Sequence, residues 1–212
     1  MTVRIVGLGG SLSRHSTSLA ALRVAIEGAA EAGAATELFD VGTLHLPLYA
    51  PELPPPPPAQ SLCDSVFACH GMLWSSPLYQ GTISGSFKNA IDWFQLLSDR
   101  QPAFLTDKVV GLISTAGGTQ GLQAVNTMEF CVRALRGWAV PLVIPIPQAW
   151  RVFEKGQVLD SGVAEQLRAL GREVARSAQR FAAGAITSPD AARAEAKLQP
   201  ISDAEVRGAP SS

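Results

Sequence analysis

Residues 75–93 read Ser-Ser-Pro-Leu-Tyr-Gln-Gly-Thr-Ile-Ser-Gly-Ser-Phe-Lys-Asn-Ala-Ile-Asp-Trp, and no other stretch of the chain is as open to a chemical reading. An apolar run over 72–74 stops at Ser75. A loop containing Pro77, Leu78, Tyr79, Gln80 and Gly81 follows, and a helical pattern begins near Ser84. A buried strand that ends this way delivers its loop to the carboxyl edge of a parallel sheet, where α/β proteins hold their ligands. Proline fixes one backbone angle. Glycine lets the chain turn and lets a flat ligand come close. Free loop amides and one aromatic ring suit a planar heterocycle with polar edges, isoalloxazine among them. Taken alone, the loop is described equally well as a strand-to-helix turn carrying a surface tyrosine.

A second stretch adds the means to hold an anion. Val3-Arg4-Ile5-Val6-Gly7-Leu8 is a short apolar strand, followed by Gly9-Gly10-Ser11-Leu12-Ser13-Arg14-His15-Ser16-Thr17-Ser18 and a helix. The start of a helix leaves amides unpaired and carries positive dipole charge. Ser11, Ser16, Thr17 and Ser18 there form a phosphate cradle, and Arg14 is placed to add a charge-assisted contact. One helix cap needs a single Ser or Thr, fewer than are present. The spacing matches neither a Gly-Lys-Ser/Thr phosphate loop nor a Gly-x-Gly-x-x-Gly fingerprint. Hydroxyl donors fit a phosphate monoester better than a pyrophosphate. A third apolar run, residues 109–115, enters Ala116-Gly117-Gly118-Thr119-Gln120-Gly121. The candidate contacts there are Thr115, Ala116, Gly117 and Gly118. Three such loops, each after a buried strand, fall on one edge of one sheet.

On these three motifs the chain resembles the NADPH-dependent FMN reductase family, which has a flavodoxin-like fold. The resemblance covers about residues 3–146, and its most specific part is Ser76-Pro77-Leu78-Tyr79-Gln80-Gly81 with Lys88-Asn89-Ala90-Ile91-Asp92-Trp93. It implies that the first loop holds the FMN phosphate, that the second passes along one edge of the flavin, and that the third flanks the ring. It also implies NADPH or NADH as reductant. The chain departs from many quinone- and azo-reducing relatives by having Gln80 where they have Asn.

The elements that must position these loops alternate. Strands are expected over 4–8, 36–40, 71–75, 108–114 and 140–145, and helices over 16–32, 59–68, 84–97, 122–136 and 161–183. Apolar Val163, Leu167, Leu170 and Val174 recur at helical spacing in the last. Continuous apolar strands joined by helices mean a parallel sheet covered on both faces. The expected fold is therefore α/β: a flavodoxin-like, doubly wound, five-stranded parallel sheet in the order 2-1-3-4-5. The five prolines of 54–58 suggest a stiff polyproline II surface segment. Residues 1–184 are read as one FMN-binding domain and 185–212 as a loosely ordered tail, rich in Ala, Ser, Pro and charge.

Composition narrows the function class. Of 212 residues, 47% are hydrophobic, enough for a sizeable core, and the net charge of −1 argues against nucleic acid as a partner. The three cysteines, Cys63, Cys69 and Cys131, are too few for a disulfide framework and are read as core or half-buried thiols. His15, His45 and His70 are scattered, so no metal site is expected. No apolar run reaches the length that spans a membrane, about 20 residues. The chain opens straight into a strand, and a cytoplasmic enzyme is expected.

The expected activity is FMN-dependent oxidation of NAD(P)H, with electrons passed to a small-molecule acceptor. A flavin-dependent monooxygenase is a candidate recipient of reduced flavin. The alternatives are a quinone- or azo-type reductase with tightly held FMN, and a non-catalytic flavodoxin-like carrier. No acid, base or nucleophile is assigned, because a bound flavin carries its own redox chemistry. Lys88 and Asp92, four apart on a helix, read as an ion pair. Phe87, Trp93, Phe94 and Leu97 give one helix a large apolar face that belongs either to the core or to a second subunit. The second choice is favoured, and with it a homodimer or homotetramer. Trp150, Arg151 and Phe153 form either a lid over a neighbouring site or a surface loop with one buried Trp.

Overall fold

In a computed structural model, which describes residues 2–186, alternation of side chains explains the strands. In β1 (Arg4–Gly9), Ile5 packs on one side of the sheet, and Val6 and Leu8 on the other. β3 (Gly71–Tyr79) sets Leu73 against Met72 and Trp74, and β5 (Val109–Thr115) sets Val109 and Ile113 against Val110 and Leu112. Successive strand side chains point to opposite faces. Both faces are covered, so the sequence shows unbroken apolar runs rather than alternation with polar residues.

With β2 (Ala35–Asp40) and β6 (Trp138–Ile146), the parallel strands lie in the order β2-β1-β3-β5-β6. This is the doubly wound order expected from the sequence. One strand of this sheet was not expected: β4 (Thr82–Ile83), which pairs antiparallel with the end of β3. On one face lie α2 (Pro57–Ala68), α3 (Gly85–Asp92) and α4 (Gly121–Ala134). On the other lie α1 (Thr17–Glu31) and α6 (Ser161–Ile186). After β6 come a single turn of helix, α5 (Ala149–Val152), and a small hairpin of β7 (Phe153–Glu154) and β8 (Gln157–Val158).

Several expectations change. β3 does not end at Ser75. Its pairing with β5 continues through Pro77 opposite Thr115, and Leu78 and Tyr79 then pair with β4. The expected third helix is α3 followed by a 3-10 turn, Trp93–Leu97. Its apolar face is core and not an interface: Phe87, Phe94 and Leu97 are fully buried and Trp93 nearly so, and Trp74 packs edge-on to Phe87. Of the five prolines, Pro57 and Pro58 begin α2, where a first-turn proline forfeits no helical bond. Pro56 before them has polyproline-like angles, φ −69° and ψ 152°. The buried ring near the carboxyl end is Phe153, whereas Trp150 is exposed. The expected tail lies, from residue 187 on, outside the described residues.

Polar groups at the far edge of the sheet are satisfied in place. Lys108 is buried, and its Nζ donates to the carbonyls of Phe67 and Cys69 at the carboxyl end of α2, where a cation offsets the helix dipole. Burial raises the Cys69 thiol to about 11, against the opposing pull of Lys108, and raises Cys63 to about 12. Both are neutral packing groups at physiological pH. Lys88 and Asp92 do form the intrahelical pair.

α1 and α6 cross with almost nothing between them. A Cβ added at Gly171 would lie 1.9 Å from the Ala25 carbonyl oxygen and 2.7 Å from the Ala29 nitrogen. Arg168 reaches Glu27 and Glu31 across the same crossing, and Arg172 reaches Glu31. Gly171→Ala must push the helices apart, and overpacking of this kind costs about 1–3 kcal/mol. Urea denaturation should show a lower midpoint. A midpoint equal to that of the wild type would contradict so close a crossing.

Candidate functional site

The first loop is built by close approach. A Cβ on Gly9 would sit 2.4 Å from the Ser75 carbonyl oxygen, and Gly10 adopts φ +102°, a conformation that favours glycine. The Gly10 amide donates to the Ser75 carbonyl at 3.1 Å, and Ser75 Oγ donates to the Ser18 carbonyl at 2.8 Å. Residues 11–17 must therefore arch over the ends of β1 and β3. Ser16 caps α1 by accepting from the Leu19 amide at 3.2 Å. Ser11 Oγ donates to Ser16 Oγ, and the Ser16 and Ser18 hydroxyls lie 3.1 Å apart.

The other two loops are pinned in the same way. Ser76 Oγ accepts from the Ser84 amide at 3.0 Å, and Ser84 in turn caps α3. Between them, Gln80 (φ 48°) and Gly81 (φ 86°) make the two-residue turn of the β3–β4 hairpin. Ser114 Oγ donates to the Gly121 carbonyl at 2.6 Å, fixing the start of α4. Thr17 Oγ1 donates to Thr115 Oγ1 at 3.0 Å and so joins the first loop to the third. The amides of Gln148 and Ala149 donate to the carbonyls of Gly118 and Ala116, each at 2.8 Å, which brings α5 to the same edge.

These ties enclose a cavity of about 210 Å³. Ser11, Ser13, His15, Ser16 and Thr17 line one part, beside the positive end of α1. Pro77, Leu78, Tyr79, Thr115, Ala116, Gly117, Ala149 and Trp150 line the rest. Tyr79 is 52% exposed and Trp150 65%, so two large rings stand at the rim with much of their surface open. A Cβ on Gly117 would meet nothing within 4 Å. The cavity has hydroxyl donors for an anion at one end, flat apolar walls at the other, and no carboxylate in its lining.

Of the residues singled out in the sequence, Ser11, Ser16, Thr17, Pro77, Leu78, Tyr79, Thr115, Ala116 and Gly117 meet in this cavity. Four do not. Arg14 lines a neighbouring cavity. Ser18 is fully buried behind the loop and holds Ser16 and Ser75 instead. Gln80 occupies the hairpin turn, and the Gly118 carbonyl is taken by Gln148. Neither Gly117 nor Gly118 has a positive φ, which among described glycines occurs at Gly10, Gly33, Gly81 and Gly156. Sequence reasoning did not single out Ser13, His15 or Ala149 as lining residues, and it set Trp150 over a neighbouring site or in a surface loop. A lone histidine and a four-residue helix carry no pattern by which to find them.

Comparison with known proteins agrees with this geometry. The profile of the NADPH-dependent FMN reductase family matches residues 3–151. The chain is 34% identical over 125 residues to the NADPH-dependent FMN reductase ArsH of Acidithiobacillus ferrooxidans, covering 58% of this chain and 51% of that protein. It is 30% identical over 123 residues to an NADPH:quinone oxidoreductase of Arabidopsis thaliana, covering 56% and 61%. The chain thus spans little more than half the length of these relatives. The structure of FerB, an NAD(P)H:(acceptor) oxidoreductase from Paracoccus denitrificans, superposes with a TM-score of 0.67 at 21% identity, covering 85% of this chain and 99% of that one. That likeness shows the shared fold. The family match covers most of the chain, and the chain belongs to the NADPH-dependent FMN reductase family.

Ser75 tests how the site is held. Ser75→Ala removes the buried hydrogen bond to the Ser18 carbonyl, a loss of about 0.5–1.5 kcal/mol. The urea midpoint should fall accordingly. No change would show that Ser75 does not anchor the first loop.

Proposed function

We propose that this family member binds FMN in the cavity at the carboxyl edge of the sheet and passes electrons from NADPH or NADH through it to a small-molecule acceptor. One observation carries the reading: an anion cradle of serine and threonine hydroxyls runs into a space lined by Pro77, Leu78, Tyr79 and Ala116 and open over Gly117. That shape and chemistry fit a molecule with a phosphate at one end and a planar ring at the other. Bound FMN supplies the redox chemistry.

The chain's own residues bind and orient. Ser11, Ser16 and Thr17 contact the phosphate, the Ser11 and Thr17 hydroxyls turning from Ser16 and Thr115 to donate to it. Pro77, Leu78 and Tyr79 border one edge of the ring, and Thr115, Ala116 and Gly117 border another. Tyr79 and Trp150 shield the mouth from water. Residues 1–184 are taken as the flavin-binding domain. A quinone is the second acceptor we favour, because the Arabidopsis relative is an NADPH:quinone oxidoreductase. Azo compounds and a monooxygenase fed with reduced flavin come after it. A carrier that docks on basic partners is favoured by strong acidity, which a net charge of −1 does not provide. A homodimer or homotetramer remains part of the reading. Its support is now the exposure of Phe130 and Trp138, since Trp93 and Phe94 are core. Among the described residues no helix is long and apolar enough to cross a membrane. A cytoplasmic site is the reading that suits three free thiols.

The purified protein should show oxidised-flavin absorption after gel filtration with FMN, and it should oxidise NADPH in air. Absence of both removes the reading. Thr17→Ala should weaken FMN binding about 10- to 100-fold, the loss of one hydrogen bond to a charged group. Riboflavin, which lacks the phosphate, should bind nearly as before. Equal losses for both ligands would make the loop merely structural. Ser16 is a poorer probe, because its removal also uncaps α1.

Gly117→Val separates binding from folding. Its Cβ meets no protein atom within 4 Å, so the variant should melt near the wild-type temperature. It should nonetheless lose flavin and NAD(P)H oxidation together. Full flavin occupancy with normal turnover would remove the third loop from the site.

A further inference from the structure

A second cavity, of about 170 Å³, lies against the first. His15 and Ser16 line both. Beyond that shared wall it is lined by Arg14 and Arg23 from the α1 side and by Lys155 and Gly156 from the β7–β8 turn. No carboxylate lines it, and among the described residues no acidic side chain pairs with Arg14, Arg23 or Lys155. Three cations gathered with no carboxylate paired to them repel one another, so the arrangement favours an anion between them.

Lys155 is also held in an uncommon way. It sits at φ 49° and Gly156 at φ 80°, the two residues of a tight hairpin turn. Asn, Asp or Gly takes the first of these positions at less cost than lysine. A residue kept in a sparsely populated conformation points to a role for its side chain. The hairpin has only two residues in each strand, and its fixed turn sets Lys155 opposite α1.

The flavin phosphate does not account for this cluster. Arg23 lies six residues beyond Thr17 along α1, roughly 9 Å at the helical rise. Apart from Ser16, which lines both, the cradle of hydroxyls belongs to the first cavity, and the cations belong to the second. A second anionic group is needed, on a ligand long enough to reach the flavin slot as well. In the proposed reaction that ligand is the dinucleotide, and the group found in NADPH but not in NADH is the 2′-phosphate of its adenosine. Resting on the flavin reading above, we infer that Arg23 and Lys155, with Arg14, bind the 2′-phosphate of NADPH and set a preference for NADPH over NADH. Guanidinium groups match phosphate oxygens two at a time, and lysine adds a point charge.

The test compares wild type with the double variant Arg23→Gln/Lys155→Gln. Two ratios are read: kcat/KM for NADPH over NADH, and affinity for 2′,5′-ADP over 5′-ADP by calorimetry. Both ratios should fall at least about tenfold, since charge-assisted contacts are lost. Arg23→Lys/Lys155→Arg, which keeps both charges, should retain most of each ratio. Ratios that do not move overturn the inference. So does a fall in FMN affinity as large as the fall in 2′,5′-ADP affinity, because the cluster would then serve the flavin phosphate. Wild-type protein that binds no FMN sinks the flavin reading separately, and the calorimetric ratio still decides whether a 2′-phosphate is recognised.

Discussion

Four hydroxyls at the carboxyl ends of two central strands hold this structure's working edge in place. Ser75 and Ser76 lie just before the end of the parallel part of β3, and Ser114 and Thr115 end β5; all four are buried. A buried hydroxyl without a partner is costly, so each must find one. Apart from a bond from Ser76 Oγ to the carbonyl of its neighbour Pro77, none is satisfied by the sheet itself. Ser75 takes the Ser18 carbonyl, Ser76 the Ser84 amide, Ser114 the Gly121 carbonyl and Thr115 the Thr17 hydroxyl. Each partner belongs to the start of a helix. The need to satisfy four groups in the core thus fixes where α1, α3 and α4 begin.

The cavity follows from that arrangement. Loops usually owe their shape to local turns and are free to move. Here each is tied at its base to a rigid strand, and Thr17 ties the first to the third. The hydroxyls that face inward are consumed by these ties, which is why Ser18 is lost to a ligand. Ser16 is shared: it caps α1, meets Ser11 and Ser18, and still lines the cavity. A ligand meeting such a cradle finds its donors already placed, and less binding energy goes into ordering the loop. The chain between β6 and α6 closes the ring of supports, since α5 is carried on two backbone bonds from the third loop.

The rhythm of strand, loop and helix was legible because each central strand is buried on both faces and so reads as a solid apolar run. The order of the five strands was read instead from the first loop, whose phosphate-binding character after strand 1 suggests 2-1-3-4-5. What escaped was short. β4, α5, β7 and β8 are two to four residues each, too few for any period to show. The face of Phe87, Trp93, Phe94 and Leu97 was misplaced because apolarity marks burial without saying whether the cover is the same chain or another. The run of serines and threonines marked the right loop. It did not tell which hydroxyls face the cavity and which face Ser75, because that choice is made by a residue 57 positions away.

Charge shows the same division between what is global and what is local. With a net charge of −1, the molecule as a whole has no field that draws anions from a distance. Any preference for phosphates must be made within about one Debye length, roughly 8 Å in physiological salt. The structure does this by exclusion as much as by attraction. Carboxylates are kept out of the lining of both cavities, while Glu27 and Glu31 are drawn to the far side of α1 by Arg168 and Arg172. Stability and selectivity for anions draw on one distribution of charge along a single helix.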